Sequence, residues 1–213
     1  MLFDSLTNEE IVDSESALEF MKEATKLASS ADLEDLSERV SQKSDCFKGY
    51  LSPSSVDDLD EGNFDRIVSL IFSIGRKSKR LIDANGFENL RSMIRELLHG
   101  VDPVENRFNF FVNQVEGIEE KMRINFAGEL LHYSMPDRYW LWTNWIWDPD
   151  NNTGALPLVV QEEVDLLGET EGETYLRVGE AMSYVNQVGN ERGYSRVGHG
   201  KFGIDVFLAC VYA

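Results

Sequence analysis

The chain places all four of its tryptophans in one run of eight residues, Trp140-Leu141-Trp142-Thr143-Asn144-Trp145-Ile146-Trp147. Tyr139 precedes the run, with Pro136 upstream and Asp148-Pro149 downstream. A tryptophan buries more area than almost any other side chain and carries one N–H that needs a partner. Any fold of this chain must therefore either plug a core with this segment or present part of it to a partner. Trp140, Trp142 and Trp147 do not share one helical face with Trp145, so at least one ring is expected to point outward. The favoured reading is an aromatic plug. The sharper one makes Tyr139, Trp140, Trp142, Trp145 and Trp147 an anchor, since Trp and Tyr are enriched among binding hot spots. A third reading, base stacking on single-stranded nucleic acid, needs a basic groove beside the rings.

The formal charge of −18 over 213 residues disfavours a general grip on nucleic-acid phosphates or anionic membranes and suits a basic partner. Charge is unevenly placed. Residues 1–65 carry a net −12, residues 66–101 a net +4, and residues 102–213 a net −10. The basic island centres on Arg76, Lys77, Lys79 and Arg80. Charge runs are usually solvated or self-paired, so the island is expected to dock on acidic arms of its own chain. If it is free instead, these four residues are the candidate nucleic-acid contacts.

Cys46 and Cys210 lie far apart without metal-knuckle or disulfide spacing, which fits a reducing, cytoplasmic setting. Acidic neighbours would raise the Cys46 thiol, the wrong direction for a nucleophile. The N-terminus has neither the basic nor the apolar region of a secretory signal. No apolar run reaches the length of a bilayer span, so no membrane association is expected unless the native chain continues beyond the still-apolar segment Val206–Ala213.

Helical signals dominate. Thr7 and Glu10 have capping-box spacing, followed by Ile11, Leu18, Met21 and Thr25. Asp32 is expected to cap a short helix carrying Leu33, Leu36 and Val40. Lys48 to Gly62, with Pro53, serines and an acidic run, reads as a linker. Phe64, Ile67, Val68, Ile71, Phe72 and Ile74 form an apolar helical stripe that Asn85-Gly86 stops. Further helices are expected over 87–99, from Pro103 to about Glu116, and over 123–133. Asp148–Gly154 is a turn and Leu156–Val160 a short strand. A helix follows over 175–188, then a glycine-rich loop, then a last helix over 204–213. The expected architecture is mostly α, a multi-helix globular bundle with acidic N-terminal helices and at most a short β element after residue 150. Its regions are 1–62 (acidic helices and linker) and 63–213 (main helical domain).

Three patterns bear on chemistry. Glu96–His99 and Glu129–His132 are two Glu-x-x-His pairs, half of the di-iron carboxylate pattern, with Glu105 and Glu119 or Glu120 able to complete it. Both pairs are read on the polar side of helices whose leucines point inward, where a bundle metal site could not form. Asp148, Asp150 and Asn152 alternate like the first ligands of a calcium loop. Thr153 and Val159 stand where such a loop needs Gly and Glu, so a polar turn is expected. Gly198-His199-Gly200-Lys201-Phe202-Gly203 spells Gly-x-Gly-x-x-Gly but lacks the strand, helix and distant acid of a dinucleotide site. No catalytic residue is assigned and no cofactor is expected.

The segment Phe126–Tyr133, followed by Pro136-Asp137-Arg138-Tyr139 and Leu141-Trp142, resembles non-catalytic members of the helix-hairpin-helix DNA-glycosylase-like superfamily. Phe202–Leu208 is similar to their final helix. The resemblance implies a helical fold and, as an alternative function, a degenerate DNA-binding domain or a DNA-mimicking inhibitor. Thr143 stands where that pattern has an aspartate, and no phosphate-binding hairpin precedes Phe126, so glycosylase activity is not implied. The leading expectation is a non-catalytic acidic adaptor or regulatory subunit that binds a basic protein through the tryptophan segment. A di-metal carboxylate oxidoreductase using Glu96, His99, Glu129 and His132 is the enzymatic alternative.

Overall fold

A computed structural model describes residues 7–193 and 201–213. The fold is mostly helical. Its helices are α1 (Asn8–Ile11), α2 (Ser14–Leu27), α3 (Ser30–Leu51), α4 (Glu61–Ser69), α5 (Ser78–Asn85), α6 (Phe87–His99), α7 (Val104–Gln114), α8 (Glu120–Ser134), α9 (Glu171–Arg192) and α10 (Gly203–Tyr212). Among the described residues, β structure is confined to the isolated bridges Val12–Val160 and Asp148–Thr153. None of the described helices is long and apolar enough to cross a membrane.

The chain forms two compact units. One comprises residues 1–41, 140–167 and 176–213, and the other residues 42–139 and 168–175. They do not divide at residue 62. The stretch expected to be a linker is anchored instead: α3 runs on to Leu51, and Leu51, Val56 and Leu59 are all buried. Burial of these three apolar side chains outweighs the Ser-Pro and acidic signals around them.

In the first unit the helix starts follow local capping. Thr7 N–H and Oγ1 both donate to Glu10 Oε2, at 2.7 and 2.8 Å, which forms the glutamate half of the expected box, while the Glu10 N–H goes to the Thr7 carbonyl. Asp13 then caps α2 by accepting from the Ser16 N–H and hydroxyl. Asp32 is not the cap of α3. Ser29 is, with Asp32 three residues on returning the bond to the Ser29 N–H. Only Leu33 of the expected Leu33, Leu36 and Val40 face is buried, and it meets Val206 of α10 among Met21, Ala28 and Cys210.

Leu156–Val160 is not a strand. A 3-10 turn, Leu156–Leu158, carries it, and only Val160 bridges to Val12. Pro157 removes one N–H and fixes its φ, which suits a turn better than a ladder.

The second unit is the aromatic bundle. Phe64 and Phe111 both face Phe126, with ring centroids 6.5 and 5.4 Å away. Helix α6 begins after Gly86 (φ 73°), as its sequence signals require, and ends at Gly100. Helix α8 departs from expectation. It is buried on every side from Phe126 to Ser134, so Glu129 and His132 lie inside the unit rather than on a polar face. The apolar stripe from Phe64 is broken too. Helix α4 stops at Ser69, residues 70–77 turn, and Phe72 leaves the core entirely.

Candidate functional site

The tryptophan segment is bound into its unit by its own polar atoms. Trp142 is 2% exposed, and its indole N–H donates to the Trp147 carbonyl at 3.1 Å. Trp147, also buried, donates its N–H to Asn152 Oδ1 at 3.0 Å, and the two rings stack with centroids 6.4 Å apart. Both indole donors are satisfied by the turn that follows. That turn is tied by Asp148, which accepts from Asp150 N–H and Asn151 Nδ2, and it needs Gly154 because a Cβ there would meet the Ile146 carbonyl at 2.5 Å. Asp148, Asp150 and Asn152 thus build a turn rather than a cation loop.

Trp142 and Trp147 therefore offer a partner no face. Trp140 is half-buried and lies against Gly179 of α9, where a Cβ would come within 3.4 Å of its ring. Trp145 is half-buried and tilts against Tyr212 at a centroid distance of 6.1 Å, and Tyr212 is 57% exposed. Trp145 beside the exposed Tyr212 is thus an aromatic surface of this unit. Tyr139 belongs to the other unit. There its hydroxyl accepts from Arg107 at 2.9 Å and its carbonyl accepts from His132 Nδ1 at 2.9 Å, which makes it a brace of that unit.

The di-metal pattern does not assemble. His99 bonds the Leu51 carbonyl at 2.8 Å, while Glu96 is exposed. Glu129 pairs with Lys43. No three His, Cys, Asp or Glu side chains among the described residues come together to hold a metal. The physical reason is that the two Glu-x-x-His helices use these side chains against different neighbours. Glu129 is instead one half of a buried ion pair. Lys43 Nζ also lies 4.1 Å from the Tyr133 ring centroid. Burial pushes the Glu129 carboxyl above the usual carboxylate range, with Lys43 and His132 pulling against it.

Arg107 is the second buried cation of this unit and has no sequence signal of its own. It donates to the Asp102 and Leu97 carbonyls as well as to Tyr139. A cleft of about 490 Å³ opens beside it, lined by Glu96, Asp102, Asn106 and Phe110. Each of its three guanidinium nitrogens donates to a protein oxygen, so Arg107 braces this cleft.

The basic island lies where the sequence reading did not put it. Arg76, Lys79 and Arg80 are exposed and Lys77 is half-buried. None of the four side chains makes an ion pair among the described residues. The expected docking on the chain's own acidic arms is absent there. Gly198, His199 and Gly200 of the glycine pattern lie outside the described residues; Gly203 opens α10.

No family model, curated protein or solved structure matches the chain. Function therefore rests on geometry. Sequence reasoning missed Lys43, Arg107, Tyr212 and Phe72. Lys43 shares α3 with Arg39 and Lys48, and Arg107 shares α7 with Glu105, so the spacing of charges along either helix does not mark the buried one.

Proposed function

We propose that the chain is a non-catalytic acidic adaptor or regulatory subunit that binds a protein with a basic surface, and that Trp145 and Tyr212 are its aromatic anchor. The observation that carries this reading is the half-exposed Trp145–Tyr212 pair on the more acidic of the two units. That unit's residues hold 19 acidic and 7 basic side chains. Helix α10, which ends in Tyr212, packs against α2. Glu15, Glu19 and Glu23 of α2 line a shallow groove with Leu18 at its side. Aromatic rings supply most of the affinity at such a surface, while the single-sign field around them speeds encounter and selects against acidic competitors. Trp142 and Trp147 stiffen the segment from behind. The two free cysteines fit a reducing compartment, and we place the protein in the cytoplasm.

The test isolates the bound protein with the tagged chain and then titrates the purified pair. Trp145→Ala and Tyr212→Ala are each expected to weaken binding by roughly thirtyfold, the ~2 kcal/mol of a hot spot, with unchanged thermal unfolding. Reversing Glu15, Glu19 and Glu23 to Lys should slow association and flatten its salt dependence. Wild-type affinity in a folded Trp145→Ala/Tyr212→Ala double variant would sink the proposal. Trp147→Ala is not a clean probe, because that ring is core.

A further inference from the structure

The turn between α4 and α5 carries a side chain that the bundle does not use. Phe72 is 100% exposed, and Leu70, two residues before it, is 40% exposed. An isolated exposed apolar residue needs no explanation, but a bare aromatic ring set in a uniform field does. Residues 66–80 contain five cations (Arg66, Arg76, Lys77, Lys79 and Arg80) and no acid. None of the five makes an ion pair among the described residues, whereas Arg91 and Arg95, the other cations of the basic stretch, pair with Glu88 and Asp57. The nearest carboxylate in the chain, Asp65, accepts from the Ser78 hydroxyl, and Asp83 lies exposed on α5.

Helix α5 adds to the same field. It begins at Ser78 with no side-chain cap and no acid in its first turn, and Lys77, Lys79 and Arg80 crowd that end. Cations at a helix N-terminus oppose its dipole, so this arrangement costs the fold stability that an external anion would restore.

We propose that the α4–α5 turn is a membrane-contact loop that inserts Phe72 and Leu70 between the headgroups of an anionic lipid surface, with Arg66, Arg76, Lys77, Lys79 and Arg80 on the lipid phosphates. Stable attachment to a bilayer takes two signals, such as apolar insertion and a polybasic patch, and the turn supplies both within fifteen residues. Each Lys or Arg at an anionic surface raises binding about fivefold, and the effect fades within a Debye length. The chain's overall negative charge therefore acts against the loop only where acidic side chains come within about 10 Å of the lipid. Single-stranded nucleic acid fits less well. Strand binders stack successive bases on several rings along a groove, and here one ring stands beside an aliphatic side chain.

Co-sedimentation of the full chain with vesicles decides it. Phosphatidylcholine vesicles containing phosphatidylserine should bind the chain and release it at high salt, while phosphatidylcholine alone should not bind. Phe72→Ser should weaken binding about tenfold, roughly the apolar transfer of one ring, and should leave thermal unfolding unchanged because the ring touches nothing. Arg76→Glu/Lys77→Glu should abolish binding. No binding to the anionic vesicles, equal binding by Phe72→Ser, or binding to an oligothymidylate in preference to vesicles would each overturn the proposal. Affinity for the basic protein partner is measured separately on Trp145→Ala, so the two proposals fail independently.

Discussion

Burying Glu129 beside Lys43 gives one residue a pH dependence that can be read against the rest of the chain. Burial raises the Glu129 carboxyl above its ordinary range, so the folded chain holds that proton more tightly than the unfolded chain does. Its contribution to stability therefore falls as pH rises from the ordinary carboxylate range through the raised value. Lys43 limits that loss by pairing with the carboxylate. Removing the cation in Lys43→Met should cost about 3–5 kcal/mol near pH 8, because it leaves a buried charge without a partner. As pH falls and the carboxyl is neutralised it needs no cation, so the gap between variant and wild type should narrow. Asp13 behaves with the opposite sign. The Ser16 hydroxyl and N–H hold its carboxyl below the usual range, so its contribution is present above that range and is lost as pH falls through the depressed value. Taking the difference between the two proteins by urea unfolding at each pH cancels the Asp13 effect. A gap that stays constant with pH would mean that Lys43 acts by packing on Tyr133 rather than by charge.

Two helical glycines separate propensity from packing at the scale of an element. Gly49 in α3 has no atom within 4 Å of where a Cβ would sit, whereas a Cβ on Gly172 in α9 would lie 1.9 Å from the Glu105 carbonyl oxygen. Alanine is favoured over glycine in a helix interior by about 0.5–1 kcal/mol, so Gly49→Ala should stabilise by that amount. At Gly172 the same gain is outweighed by an overpacking cost of about 1–3 kcal/mol, because backbone must move. Thermal unfolding of the two variants should shift in opposite directions; a stabilised Gly172→Ala would show that the first turn of α9 can yield. The same contrast explains what was legible in the sequence. Helix α6 could be read to the residue because Gly86 and Gly100 bracket an amphipathic face, so local signals and packing agree. The turn at 70–77 could not, because Ile71 and Ile74 stay buried in helical spacing while the backbone has already left the helix. Periodicity says which residues go in, and nothing in it marked Phe72 as the one that does not. Helix α8 hid its buried Glu129 and His132 for a related reason, since a helix buried all round has no polar face to read. In the tryptophan segment the aromatic density was plain, but its division into the buried Trp142 and Trp147 and the half-buried Trp145 depends on Asn152 and Tyr212, which the spacing of the rings does not reveal.

At the scale of the whole molecule, net charge opposes compaction in both units. One holds a net −12 and the other a net −6 from their own residues. The exposed pairs Lys26–Glu23 and Arg39–Asp35 do little to offset this, since surface ion pairs of that kind contribute about 0–1 kcal/mol each and are screened. The buried Lys43–Glu129 pair is screened much less. Adding sodium chloride should therefore raise the melting temperature, because it relieves repulsion among 38 carboxylates more than it weakens the few attractive pairs. Both proposed contacts respond the other way. Capture of a basic protein and attachment to an anionic bilayer should each weaken as the Debye length shrinks from about 10 Å at 0.1 M to about 3 Å at 1 M salt. A salt titration that follows unfolding and binding on the same preparation separates the two effects. Loss of binding while the melting temperature climbs identifies screening at charged surfaces. Loss of both together would show that the acidic surface is already neutralised within the fold, and capture of a basic protein could then not rest on it.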